Sequence, residues 1–170
     1  MDFKAKKLEL AQRIVARAST GLFSLECLLE GLDAANLRVV YMLLSYTLEL
    51  ILKSRLVLLS DATNIKILEN ELKNLSHDIK KISEKLGKDH LSELGIQGIR
   101  SNNRQDFIGW IIKIDNVEIP IEDFTNIRYD FMSDDLRTIQ HNEMETIEKS
   151  YLPLLEKLKS QTSRLSERLQ

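Results

Sequence analysis

The run Val39–Ser60, VVYMLLSYTLELILKSRLVLLS, is the most apolar stretch of the chain. It is too long for a strand, so it predicts a buried central helix. Ser45, Glu49, Lys53 and Ser60 fall in one narrow stripe at 3.6 residues per turn, and Leu48, Leu50, Ile51, Leu52, Val57, Leu58 and Leu59 fill most of the remaining circumference. A helix apolar on nearly every side belongs in the middle of a bundle. Glu49 and Lys53 stand four residues apart with the acid first, the favourable order for an ion pair on a helix. The run is long enough to span a bilayer. Glu49, Lys53 and Arg55 would then sit near its middle, at roughly 2.5–3.5 kcal/mol each, which argues against a membrane span.

The flanking segments read as further helices. Phe3, Leu8, Ala11, Ile14, Val15 and Ala18 recur at three- and four-residue steps, then Leu22, Leu25, Leu28, Leu29 and Leu32. Gly21 is expected to kink or interrupt this helix. Asp33 or Asn36 is placed to cap the next one. NIKILENELKNL, within 61–75, fits a short amphipathic helix or an ordered connection. Ser76 is expected as the N-cap of HDIKKISEKL, with Ile79, Ile82 and Leu86 inward and Gly87 past the end. Asp89 is placed to cap one more turn. Residues 95–106 read as a loop. WIIKI and VEIPI flank Asp115-Asn116 and predict a small β-hairpin near 107–121, with Pro120 confining the second strand to an edge. Ser133 caps a final long helix, in which Met144, Ile147, Tyr151, Leu154, Leu158 and Leu165 form a heptad-like seam with a restart at Pro153.

The expected fold is therefore all-α, an antiparallel bundle of four or five helices carrying a small hairpin insert. At 170 residues, 43% hydrophobic and 29% charged, the chain fits one domain over residues 1–170. Six Gly and two Pro are few, as long helices require. The single cysteine, Cys27, excludes an internal disulfide and fits a reducing cytoplasm. Its apolar surroundings, LFSLECLLEGL, predict a buried inert thiol. The first residues show basic groups but no apolar core or cleavage site of a signal peptide.

Charge is unevenly spread within a net −2. Residues 1–19 and 149–170 each carry +3, residues 20–114 balance, and residues 115–148 carry −8. A broad basic face typical of general nucleic-acid binders is not evident from this distribution, although folding can bring the two basic ends together.

The chain has no phosphate-cradling glycine motif, no HExxH or CxxC metal motif and no GxSxG elbow. His77, His90 and His141 lie far apart in sequence, and neither a metal nor a cofactor is expected. Three stretches remain: Glu49 with Lys53 in YTLELILKS, LSHDIKKI at Leu75–Ile82, and FTNIRYDF at Phe124–Phe131.

In this order and rough spacing, over residues 5–165, these stretches resemble the HEPN superfamily of bacterial and archaeal helical domains. The hairpin insert departs from that pattern. The resemblance implies a compact helical bundle, often a homodimer. Members include metal-independent ribonucleases of toxin, antiphage and RNA-processing systems, and partners of nucleotidyltransferases. The ribonucleases carry an Arg, four to six residues, then a His. Here Arg128 has no histidine at that distance. Arg137 precedes His141 with only three residues between, which puts both on one helix face. A His of ordinary pKa beside an Arg can serve phosphodiester chemistry. The plainer reading is a solvated pair on an acidic face, where Asp134, Asp135, Glu143 and Glu145 repel RNA.

Glu49, Lys53, His77, Asp78, Arg128 and Tyr129 are candidates for a ligand site or for a structural polar network, since buried charges need partners. The leading expectation is a non-catalytic HEPN-like interaction module, homodimeric and cytoplasmic. It would bind a partner protein of nucleotidyltransferase or antitoxin type, or RNA or a nucleotide, in a bacterial stress or defence setting. The alternatives are a metal-independent endoribonuclease using Arg137 and His141, and a helical scaffold with no ligand.

Overall fold

A computed structural model describes residues 3–31, 37–104, 107–114, 117–122, 156, 159–160, 162–164 and 167. The described part is mostly helical, with one small antiparallel sheet. Helix α1 runs Phe3–Glu30 without a break and buries Ala11, Val15, Ala18, Gly21, Leu22 and Leu25, a face generated by the three- and four-residue spacing. The expected interruption at Gly21 is absent. The glycine serves close approach instead: a Cβ there would collide with Thr47 Oγ1 on the neighbouring helix.

That neighbour is α2, Leu37–Leu59, which holds the central run. It is buried on nearly all sides, Leu44, Leu48, Leu52 and Val57 being 1% exposed or less. Full burial of each such side chain is worth about 1.5–3 kcal/mol. Lys7 near the start of α1 donates to the carbonyl of Ser60 just past the end of α2 (2.6 Å), while Gly21 meets Thr47. Early residues of one helix thus meet late residues of the other, so the pair is antiparallel. The turn around Asp33 and Asn36 lies outside the described residues.

Segment 61–75 forms α3, Ile65–Asn74, capped by Asn64, whose side chain accepts from the Ile67 amide. Its Leu68 joins Ala11, Val15 and Val57 in a small core. Helix α4 is Ile79–Leu86, with Ile79, Ile82, Ser83 and Leu86 buried and Gly87 (φ 84°) ending it. The N-cap is Asp78, not Ser76: Asp78 is extended and its carboxylate accepts from the Lys81 amide (3.0 Å), whereas Ser76 has φ 50° and cannot take the cap's extended geometry. Helix α5, Lys88–Glu93, follows directly. Gly87 occupies its cap position and Asp89 lies in its first turn rather than at the cap.

The insert is larger than the two-stranded hairpin expected near 107–121. Strands β1 (Ile96–Arg104), β2 (Phe107–Ile114) and β3 (Val117–Glu122) form an antiparallel sheet in the order β1-β2-β3. The loop expected at 95–106 is mostly β1. Its IQGIRSNNR sequence shows no clean alternation, and a register shift between Ile96 and Gly98 disrupts the period further. Pairing with the apolar β2 overrides its weak intrinsic preference. The hairpin itself holds, with Ile114 opposite Val117, although Asp115 and Asn116 lie outside the described residues. Pro120 is on β3, an edge strand, as its missing N–H requires. Trp110, Ile112 and Ile114 of β2, with Ile96 and Ile121, face inward and join Leu44, Leu48 and Leu52 of α2 in the main core.

Near the C-terminus Lys159 bonds Glu26 of α1 (2.6 Å) and Thr162 is 3% exposed. The Ser133 cap and Pro153 restart lie outside the described residues. Among the described residues no helix is long and apolar enough to cross a membrane.

Candidate functional site

Helix α2 places Glu49 and Lys53 one turn apart, facing the tight turn between α3 and α4. Glu49 is 3% exposed. Its Oε1 accepts from Lys53 Nζ (2.7 Å) and its Oε2 lies 2.8 Å from His77 Nδ1. An ionised carboxylate only accepts, so Nδ1 carries the proton of that bond. Lys53 Nζ also donates to the carbonyl of Ser76 (2.5 Å). Ser76 sits in the left-handed region, rare for a residue with a Cβ, and its amide donates to the Lys73 carbonyl. This turn aims one carbonyl at Lys53 and the next side chain at Glu49. Three groups from the stretches YTLELILKS and LSHDIKKI therefore form one partly buried network around the buried carboxylate of Glu49.

Asp78, expected in the same network, is not part of it. Its carboxylate is held by the Lys81 amide and by Lys81 Nζ (3.4 Å) at the head of α4. Glu49 is held by Lys53 and His77. Arg128, Tyr129, Arg137 and His141 lie outside the described residues.

Cys27, expected to be buried, is a free and exposed thiol. It lies on the outer side of α1, whose inward face is carried by Leu22 and Leu25 instead.

The carboxylate–imidazole pair resembles the arrangement that orients a catalytic base. A concavity among the described residues is a neighbouring open groove of about 610 Å³ between the end of α2, α3 and α4. Leu75 lines it, whereas Glu49, Lys53 and His77 do not. Its walls are largely aliphatic, with Leu56, Leu59, Ile67, Leu72 and Leu86 among them. Leu59 and Ile67 remain 43% and 44% exposed. Its charges are partly neutralised: Lys85 pairs with Glu71 (3.1 Å). His90 is 3.8 Å from Glu93, which also receives Arg55 (2.7 Å). The groove was missed in the sequence because its walls come from four helices and the segments between them. The available signal was Leu59 at the end of the apolar run, next to Ser60 and Asp61.

Comparison of the chain with protein-family models, curated proteins and solved structures gives no match.

Proposed function

We propose that the chain is a non-catalytic, HEPN-like interaction module that receives an apolar element of a partner protein in the groove between α2, α3 and α4. The observation that carries this reading is the pair of exposed aliphatic side chains, Leu59 and Ile67, on an open concavity of about 610 Å³. An amphipathic helix is the element suited to such a groove, inserting side chains spaced three and four residues apart. A nucleotide is disfavoured there. The lining offers no Phe, Tyr or Trp to stack on a base, and its one lysine is paired with Glu71. The polar groups nearest to catalytic form, Glu49, Lys53 and His77, are engaged with one another beside the groove.

In this reading the antiparallel α1–α2 pair belongs to a four- or five-helix bundle of HEPN type. The heptad-like seam between Met144 and Leu165 supports a homodimer. The bacterial stress or defence setting comes from the resemblance alone.

The test is capture of partners from the source cells, followed by identification, purification and calorimetry of the pair with wild type and Ile67→Glu. Binding by the wild type and loss in the variant is expected. Equal binding by both overturns the groove as the docking site. In parallel, mixed cellular RNA is incubated with the protein in EDTA beside His141→Ala. Cleavage that disappears in the variant replaces this reading with the ribonuclease.

A further inference from the structure

Independently of the groove, the outside of α1 carries a row of cations. Lys6, Arg13 and Arg17 are all exposed. At about 100° per residue they lie within about 40° of one another around the helix, and at 1.5 Å per residue they are spaced roughly 10 Å and 6 Å along it. No carboxylate among the described residues forms an ion pair with any of the three. Glu9, on an adjoining face within a turn of Lys6 and Arg13, also forms none.

Lys7, on the same helix, is engaged with Ser60. The other acid of α1 ahead of Glu30 is Glu26, and Lys159 from the basic C-terminal segment neutralises it. Arg164 of that segment is exposed. The structure therefore leaves the exposed side of α1 positive from Lys4 to Arg17, with Glu9 as its one acid there, although the whole chain is slightly acidic.

We infer that the outer stripe of α1, Lys6, Arg13 and Arg17, is a contact for a nucleic-acid phosphate backbone, made without regard to base sequence. Phosphates are met by just such exposed, unpaired Lys and Arg side chains, and guanidinium groups match them best. With three contacts the interaction is weak and salt-dependent: Kd on the order of 10 µM at 50 mM salt, with log K falling against log salt at a slope of about −3.

The experiment is fluorescence anisotropy of the full chain with labelled 20-mers, one duplex DNA and one single-stranded RNA, from 25 to 200 mM salt. Arg13→Glu/Arg17→Glu is compared with wild type on both ligands. Both arginines are exposed, and circular dichroism melting confirms that the variant folds. We expect at least tenfold weaker binding by the double variant and a slope reduced by about two. Binding unchanged in the double variant overturns the proposal, as does no binding at 25 mM salt. Equally effective competition by polyglutamate also overturns it, in favour of an acidic protein partner.

Discussion

Gly21 of α1 and Thr47 of α2 meet so closely that no side chain fits between them: a Cβ on residue 21 would strike Thr47 Oγ1. That hydroxyl is buried and makes no hydrogen bond. The crossing of α1 and α2, the two longest helices among the described residues, is therefore set by a residue with no side chain and a buried hydroxyl without a hydrogen-bond partner. Gly21→Ala should destabilise the protein by about 1–3 kcal/mol, against the gain in helix propensity, because the overlap forces the helices apart. In a Thr47→Ala background the same substitution should cost much less. Urea denaturation of the four proteins measures this coupling, and additive effects would show that the crossing relaxes freely.

The Glu49 network predicts a sharp asymmetry between single and double replacement. Glu49→Ala leaves Lys53, 14% exposed, without its carboxylate, and should cost about 3 kcal/mol. Replacing the pair with Glu49→Leu/Lys53→Met should cost far less, since an apolar pair avoids desolvating two charges. Chemical denaturation distinguishes them. A double variant as unstable as Glu49→Ala would mean that the bonds to His77 and Ser76 dominate.

The turn before α4 holds two opposite opportunities. Asp78→Ala removes the cap on the Lys81 amide and should destabilise by about 1 kcal/mol. Ser76→Gly should stabilise by roughly 1 kcal/mol, because φ 50° costs a glycine nothing. Thermal melts with both changes should show the second offsetting the first.

Lys159 has its pKa raised above the ordinary lysine value of 10.5, first by its hydrogen bond to Glu26 and then by the charge of Glu156, against an opposing effect of burial. A folded-state pKa above the unfolded one stabilises fully below the unfolded value, and the gain is lost as pH rises through the folded one. Wild type and Glu26→Gln should therefore differ in Tm at pH 9, and the difference should fade as pH rises past 10.5 and through the raised folded value. The difference should shrink with added salt, as expected of an exposed pair. A gap that stays constant as the lysine deprotonates would assign the effect to packing.

The helices were legible because their signals are local. Val39–Ser60 announces itself by length and apolarity, and Gly87 sits where a helix end needs a left-handed residue, whereas the cap at Asp78 was read at Ser76 and the cap at Asn64 was not read. Glu49 with Lys53 was legible for the same reason, as a pair one turn apart. The bond from Glu49 to His77 joins residues 28 apart and depends on how α4 packs, so no spacing rule reveals it. Strand β1 was illegible because Gln97, Gly98 and Ser101–Asn103 carry no strand signal; β2 makes them a strand by pairing with them. Cys27 misled because its neighbours Leu25 and Leu28 are apolar, while one residue of rotation on a helix swings a side chain by about 100°.

The bond between Lys159 and Glu26 spans 133 residues of sequence. On the ribosome, at roughly 5–20 residues per second, α1 is complete on the order of ten seconds before its lysine partner is made. In that interval the helix can already close on α2, whose residues follow it directly, but its Glu26 flank stands open. The residue that closes it, Lys159, is synthesised long after the helix it binds.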